Sequence, residues 1–290
     1  MPELPEVETV RRSLARHVVG RTIRSVVLHR RDVVHGRASR GALLCGCRIH
    51  RILRHGKQLA LCGSKSRTPY GLGCVCVHLG MSGSLRLVRL ASGAAITGHR
   101  EGTENAVMLP HTHVVWTLDD ASELRFRDPR RFGGIWTFSS HQVLYRRRWH
   151  ALGTDAMLIK PAEMLQRFSK SKRPVKAALL DQNVVAGLGN IYVDELLFRC
   201  GLHPLTPTSN LDPRSVRDLV RKMRRLLARA TRLGGSTLRD HVDSTGRPGR
   251  FQAAHRVYGR VGQKCRRCGR RLLAIRVAGR MTVYCPDCQT

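Results

Sequence analysis

Four cysteines near the C-terminus constrain the fold of this chain more than any other feature. They form two Cys-x-x-Cys pairs, Cys265/Cys268 and Cys285/Cys288, and residues 269–284 lie between the pairs. This spacing is typical of a site in which four thiolates bind one zinc ion. Four thiolates fill the tetrahedral shell, so we expect one structural Zn²⁺ that folds a β-hairpin in a C-terminal domain of residues 252–290. Four unpaired buried thiols are the alternative.

The pattern of the first 140 residues predicts one helix followed by an antiparallel β-sandwich or barrel. Apolar residues recur at helical spacing from Pro5 to Val18, and Gly20 ends the helix. Beyond Arg21, short apolar runs separated by Gly, Ser and Asp predict strands. The predicted strands are Ile23–Leu28, Ile49–Leu53, Leu59–Cys62, Cys74–His78, Leu85–Leu90, Val114–Leu118, Leu124–Phe126 and Ile135–Phe138. Ser64–Gly73 and Ala91–Pro110 have the composition of loops.

The sequence pattern of residues 141–251 predicts a helical domain. The predicted helices cover His141–His150, Ala162–Ser169, Pro174–Leu180 and Ile191–Cys200, followed by a long helix that Asp212 caps and Pro213 begins. One face of the long helix is apolar and the other is basic between Arg217 and Arg229; that basic face either is solvated or binds phosphate. The chain is therefore expected to be a multidomain α+β protein, with domains of residues 1–140, 141–251 and 252–290.

The charge balance indicates a polyanionic partner. The chain has 52 Lys+Arg and 20 Asp+Glu, a net charge of +32, which favours nucleic acid most simply. A sequence-wide arginine bias is a second source of this excess. The sequence lacks an apolar run of about 18 residues and a signal-peptide pattern, which predicts a protein outside the membrane. Cys45, Cys47, Cys74 and Cys76 are expected to be small core residues in strands, and we expect a reducing, cytoplasmic compartment.

The N-terminus, Met1-Pro2-Glu3, carries a candidate nucleophile. Removal of Met1 would give Pro2 a free secondary amine, and α-amino groups have a pKa of roughly 7.7–8.0. Such an amine can form a Schiff base with a sugar aldehyde carbon. The alternative is an ordinary helix start, where Pro and acidic residues are common. Lys57, in a turn between two strands, is a second candidate, with a solvated turn lysine as the alternative.

Two loops have the composition of a wedge that unstacks a base step of DNA. Met81 lies between glycines in residues 78–84, and Arg130 and Phe132 lie in the segment Asp128–Gly133. Core packing at strand ends is the alternative for Met81 and Phe132. His111, in a His-x-His pair at a strand start, is a candidate phosphate contact.

Taken in order along the chain, these motifs resemble the bacterial formamidopyrimidine-DNA glycosylase family, bifunctional enzymes that repair 8-oxoguanine. The matching segments are Pro2–Thr9, Lys57, His78–Leu85, Asp128–Gly133, Gly187–Glu195, Tyr258–Arg260 and Gly279–Pro286. The resemblance implies an N-terminal β-sandwich, a helix–two-turns–helix domain and a zinc-finger hairpin. It also implies a bacterial, monomeric enzyme that acts on double-stranded DNA containing oxidised purines or abasic sites.

The resemblance assigns the chemistry to four residues. Pro2 would attack the sugar C1′ and displace the damaged base, and Glu3 would act as general acid at the ring oxygen. Lys57 would serve β-elimination, and Arg280 would hold the phosphate at the lesion and serve δ-elimination.

The resemblance also implies a set of DNA contacts. Met81, Arg130 and Phe132 would fill the gap left by the flipped nucleotide, and His111, Lys172 and Asn190 would contact the backbone. The loop Gly235–Arg239 would cover the flipped base, although Arg239 stands where the family often has lysine.

Other functions stay open at this point. An endonuclease VIII-type enzyme for oxidised pyrimidines shares the chemistry. A non-catalytic zinc-finger DNA-binding protein or a basic ribosome-associated protein would fit the charge, but neither needs Pro2, Glu3, Lys57 and Arg280 together.

Overall fold

The computed structural model describes residues 1–66, 72–89, 108–237 and 242–290. It divides into two compact units. The sandwich unit comprises Met1–Pro2, Glu6–Trp149 and Thr237–Gly249, and the helical unit comprises Glu3–Pro5, His150–Ser236 and Arg250–Thr290. The predicted loops Ser64–Gly73 and Ala91–Pro110 fall partly outside the described residues, as do Leu238 and Arg239. The three domain boundaries expected from the sequence stay a prediction.

One long helix and two sheets form most of the sandwich unit. Helix α1 spans Leu4–Val18; the strands are β1 Ile23–Leu28, β2 Val34–His35, β3 Arg48–His55, β4 Gln58–Ser64, β5 Gly73–His78, β6 Ser84–Val88, β7 Thr112–Leu118, β8 Glu123–Arg127 and β9 Gly134–Phe138. One sheet has the strand order β2-β9-β5-β4-β3 and the other has β1-β7-β8-β6. Neighbouring strands are antiparallel except β2 and β9.

The core of this unit lies between the sheets and α1. Val7, Val10 and Leu14 come from one face of α1, and they join inward side chains of both sheets such as Leu61 and Trp116 in one buried cluster. Alternate residues of a strand point to the same face, so short apolar runs bury one face of each sheet. The predicted sandwich with a leading helix is confirmed.

Two local predictions in the sandwich unit are wrong. Cys45 and Cys47 do not lie in a strand but in the turns before β3, where Leu44 and Gly46 have left-handed φ angles of 66° and 77°. The predicted helix His141–His150 is instead a short α2, His141–Leu144, followed by a π-helical turn over Tyr145–Trp149. Cys74 and Cys76 are buried in β5, as expected.

The helical unit is built around α5. Its helices are α3 Pro161–Ser169, α4 Val175–Leu180, α5 Asn190–Cys200 and α6 Pro213–Arg232, and its hairpin consists of β10 Leu273–Val277 and β11 Arg280–Tyr284. Tyr192 and Leu196 of α5 lie in one buried cluster with apolar side chains of α3, α4 and α6. The carboxylate of Asp212 accepts a hydrogen bond from Ser215 N at 2.6 Å, so the predicted cap of α6 is confirmed. Within the described ranges, every helix is too short or too polar to cross a membrane.

Candidate functional site

The sandwich unit places Pro2 and Lys57 in buried positions. Pro2 is buried just before α1, while Met1 ahead of it is 46% exposed. Lys57 occupies the tight β3–β4 turn and is only 7% exposed, so the alternative of a solvated turn lysine is wrong. The positive charge of Lys57 acts on His78, which lies opposite Gln58 in the antiparallel register of β4 and β5. Burial, then the charges of Arg148 and Lys57, lower the pKa of His78 to about 4.

One buried carboxylate joins the two segments predicted to insert into DNA. We call Leu79–Gly83 and Asp128–Gly133 the insertion loops. Asp128, which is fully buried, accepts a hydrogen bond from the Ser82 hydroxyl at 2.7 Å and from Gly133 N at 2.7 Å. Ser82 Oγ in turn accepts from Arg130 N at 3.2 Å. The two loops are therefore held together by Asp128, which sequence reasoning did not single out.

Close backbone approach between the insertion loops requires glycine. Gly80 has a φ of 62°, and a Cβ there would lie 2.3 Å from Gly133 N. A Cβ on Gly133 would lie 2.4 Å from His78 O. Substitution at either position would push the loops apart.

The side chains at the tips of the insertion loops face solvent. Met81 is 47% exposed and Phe132 is 55% exposed, so the alternative of core packing is wrong. The Arg130 guanidinium lies 4.7 Å from the Phe132 ring centroid, a cation–π contact. His111 is exposed, and its carbonyl accepts from Asp128 N at 3.1 Å. The side chains of Met81, Phe132 and His111 are therefore accessible to a ligand from solvent.

In the helical unit, Glu3 is fixed at the N-terminus of α5. Its carboxylate accepts hydrogen bonds from Gly189 N at 2.7 Å, Ile191 N at 2.8 Å and Tyr192 N at 3.3 Å. A Cβ at position 189 would lie 2.5 Å from Glu3 Cδ, so only glycine lets the carboxylate approach these amides. Backbone N–H groups at a helix N-terminus stabilise a negative charge. This buried arrangement favours the ionised form of Glu3.

Lys176 and Asp194 form a buried ion pair that sequence reasoning missed. Their Nζ and Oδ1 atoms are 2.5 Å apart, and neither side chain is exposed. Burial lowers the pKa of Lys176, while the charges of Asp194 and Glu3 oppose that shift. The available signal was a lysine in the otherwise apolar predicted helix Pro174–Leu180.

The same region holds strand β11 and hence Arg280. Asn190 Nδ2 donates to Met281 O at 2.9 Å, Lys176 Nζ approaches that carbonyl at 3.4 Å, and Val283 N donates to Asp194 Oδ2 at 3.1 Å. Arg280 is exposed beside the hairpin turn, where Ala278 and Gly279 have left-handed φ angles of 48° and 71°.

Lys172 and Asn190, the two residues of the helical unit predicted to contact the DNA backbone, have different environments. Asn190 joins α5 to the hairpin through its amide, while Lys172 is exposed in the segment before α4. Their phosphate contacts stay predictions.

The four predicted metal ligands come together in the helical unit. Their sulfur atoms all lie within 4.8 Å of one another. Cys265 and Cys288 Sγ are 4.0 Å apart, and Cys268 and Cys285 Sγ are 3.4 Å apart. A tetrahedral site with Zn–S bonds of about 2.3 Å requires sulfur separations of roughly 3.8 Å. The donor set and spacing fit one structural zinc ion, held by Cys265, Cys268, Cys285 and Cys288.

Family models match almost the whole chain. The formamidopyrimidine-DNA glycosylase N-terminal domain matches residues 1–135, the H2TH domain of the same enzymes matches residues 152–242, and a zinc finger found in these glycosylases and in isoleucyl-tRNA synthetase matches residues 262–290. Formamidopyrimidine-DNA glycosylase from Geobacillus kaustophilus is 40% identical over 294 residues, covering 100% of both chains.

Solved structures show the same similarity. A crystal structure of the MutM (Fpg) protein from Thermus thermophilus superposes with a TM-score of 0.81 at 38% identity, covering 99% of this chain and 98% of that chain. The Lactococcus lactis Fpg in complex with abasic-site DNA has a TM-score of 0.83 at 33% identity, covering 99% of both chains. The chain belongs to the formamidopyrimidine-DNA glycosylase family, whose members are bifunctional glycosylases and abasic-site lyases for oxidised purines.

Proposed function

We propose that this protein excises oxidised purines such as 8-oxoguanine and formamidopyrimidines from double-stranded DNA and then nicks the strand by β,δ-elimination. The observation that carries the proposal is the clamp on Glu3: three backbone N–H groups fix a buried carboxylate on the residue that follows Pro2 in the chain. A nucleophile adjoining a rigidly held proton carrier is the arrangement that covalent catalysis needs.

The environment of Glu3 defines its part in the reaction. Attack of the Pro2 nitrogen on C1′ displaces the base, which departs with the electron pair of the glycosidic bond and takes a proton from water. The attack leaves a positively charged, protonated Pro2 nitrogen. The Glu3 carboxylate takes that proton and delivers it to the ring oxygen, which opens the sugar and leaves an iminium. Glu3 therefore begins as a base, because its three N–H donors favour the ionised form, and becomes the general acid after the attack.

Lys57 and Arg280 act after the iminium has formed. We assign to Lys57 the acid–base work of β-elimination, supported by its burial in a rigid turn. We propose that Arg280 binds the phosphate at the lesion and serves δ-elimination. Its support is the anchored hairpin, since Met281 O and Val283 N are both held by side chains of the helical unit.

The insertion loops and three further residues complete the DNA interface. Met81, Arg130 and Phe132 fill the gap left by the flipped nucleotide, and His111, Lys172 and Asn190 contact phosphates. The zinc ion has no chemical step; its four thiolates fold the hairpin that carries Arg280. We further propose that the protein acts as a monomer in the bacterial cytoplasm.

Borohydride trapping tests the chemistry. Protein with Met1 removed, verified by mass spectrometry, is incubated with 8-oxoguanine duplex and borohydride, and a covalent protein–DNA band is expected. Pro2→Gly and a Met1-retaining form should trap poorly. Equal trapping by the Met1-retaining form would identify a lysine as the nucleophile, with Lys57→Ala as the decisive comparison. Absence of any band with the processed protein would leave only a non-catalytic DNA-binding protein.

A substrate comparison separates specificity for oxidised purines from specificity for oxidised pyrimidines. Duplexes carrying 8-oxoguanine or an oxidised pyrimidine are compared under single-turnover conditions, and faster excision of 8-oxoguanine is expected. Faster excision of the pyrimidine would assign the protein to the endonuclease VIII type.

A further inference from the structure

The outward face of α6 carries a row of arginines that the proposed glycosylase site does not use. At about 100° per residue, six arginines fall within an arc of about 120°, directly opposite the buried apolar face. All six are exposed. They are Arg214, Arg217, Arg221, Arg225, Arg229 and Arg232, and we call them the α6 stripe. The stripe runs for about 27 Å at 1.5 Å per residue.

Most of the stripe lacks an acidic partner. Arg221 pairs with Asp218. In the described part of the chain, no carboxylate lies within 4.0 Å of the other central and C-terminal members of the stripe, Arg217, Arg225, Arg229 and Arg232. Like charges one turn apart on a helix repel each other, so this row destabilises α6 slightly unless an anion neutralises it.

The stripe points away from the part of the helical unit that holds Glu3. The buried face of α6, which includes Leu219, Met223 and Leu227, packs into the core that it shares with α5. Glu3 is clamped at the N-terminus of that same α5. A ligand on the opposite, solvent-facing side of α6 therefore meets a different surface of the unit.

The N-terminal end of the stripe is concave. A cavity of about 600 Å³ lies between the end of α5 and the first turns of α6, lined by Cys200, Leu202, Ser215, Asp218 and three members of the stripe, Arg214, Arg217 and Arg221. The carboxylate of Asp218 is paired with Arg221 and Lys222. This cavity is large enough to take a phosphodiester group. Guanidinium groups bind such oxygens with two parallel hydrogen bonds.

We propose that the α6 stripe binds the phosphate backbone of a second DNA duplex while the first duplex occupies the lesion site. Arginines four residues apart on α6 are about 6 Å apart along the helix axis, close to two steps of the 3.4 Å axial rise between successive phosphates of one DNA strand. The helix Pro213–Arg232 contains no aromatic residue. Single-stranded nucleic acids depend on aromatic stacking platforms, so the stripe suits a duplex instead.

A two-duplex titration tests this surface. Wild-type protein is first saturated with an unlabelled duplex carrying an uncleavable abasic analogue, and a labelled undamaged duplex is then titrated by anisotropy at several salt concentrations. The stripe variant replaces Arg217, Arg225, Arg229 and Arg232 with glutamine, which preserves helix propensity. The control variant makes the same replacement at four exposed arginines of the sandwich unit, Arg16, Arg24, Arg37 and Arg40, and removes the same net charge.

We expect the saturated wild-type protein and the control variant to bind the second duplex. In the stripe variant, the slope of log K against log salt should be smaller by about 3.6, at roughly 0.9 for each phosphate that is no longer neutralised. Excision from a short 8-oxoguanine duplex should be unchanged in the stripe variant; because the titration uses uncleavable DNA, its outcome is independent of whether excision occurs.

Three results would overturn the proposal. They are no second-duplex binding by the wild-type protein, equal loss in the stripe and control variants, and tighter binding of single-stranded RNA than of duplex DNA by the saturated protein.

Discussion

Replacement of Asp128 with asparagine should let the two insertion loops separate, although Met81 and Phe132 at their tips are unchanged. The Asp128 carboxylate accepts hydrogen bonds from Ser82 Oγ and Gly133 N, both at 2.7 Å. Asparagine keeps one acceptor and turns an NH₂ group toward the other donor. A hydrogen bond to a charged group contributes about 1.5–3 kcal/mol, so the equilibrium between closed and open loops should shift about 10- to 150-fold toward open. The apparent Kd for lesion duplex should rise by up to that factor.

The assay for this prediction compares binding with local opening. Binding of 8-oxoguanine duplex is measured by anisotropy, and opening of the loops by hydrogen exchange at the amides of Gly83 and Gly133. Ser82→Ala, which removes one of the two contacts, should give an intermediate effect. Asp32→Asn is the matched control, because the exposed Asp32 pairs with Arg131 of the same loop and surface pairs contribute less than about 1 kcal/mol. Wild-type exchange and binding in Asp128→Asn would refute the reasoning.

Three further predictions concern the metal, the buried ion pair and pH. Chelation or Cys285→Ser should remove one zinc per chain, measured by elemental analysis, and abolish δ-elimination while the circular dichroism of the β-sandwich persists; retained δ-elimination would contradict the role of the finger. Asp194→Asn should lower the free energy of unfolding in urea by roughly 3–5 kcal/mol, because the Lys176 charge stays buried and unpaired. Apolar residues at both positions should recover this stability but not δ-elimination, because Asp194 no longer accepts from Val283 N of the hairpin that carries Arg280. The folded pKa of His78, about 4, lies below the ordinary value near 6.5, so the unfolded chain takes up the proton first as pH falls. The contribution of His78 to the free energy of unfolding should therefore be complete above about pH 6.5, and the free energy should fall by up to roughly 3 kcal/mol by pH 4. If a His78→Gln variant keeps the same pH profile of stability, His78 is not the cause of this loss.

Features that depend on local sequence patterns could be predicted without the structure. Ligand spacing predicted the zinc site, because four thiolates at that separation have few other uses. A short apolar run located β1 with both ends correct, and Asp212-Pro213 located the start of α6. Sequence patterns failed at Cys45 and Cys47, where Leu44 and Gly46 adopt left-handed turns that no apolar pattern announces.

The contacts between polar residues that are distant in the sequence could be identified only from the folded structure. Asp128 and Ser82 are 46 positions apart, and Lys176 meets Met281 across 105 positions, so no local pattern links them. Burial also decided between the alternatives for three residues: Lys57 is enclosed in its turn and not solvated, whereas Met81 and Phe132 face solvent and are not packed in the core. The structure also showed that the carboxyl group of Glu3 accepts hydrogen bonds from backbone amides at the start of α5, donors that lie nearly two hundred residues away in the chain.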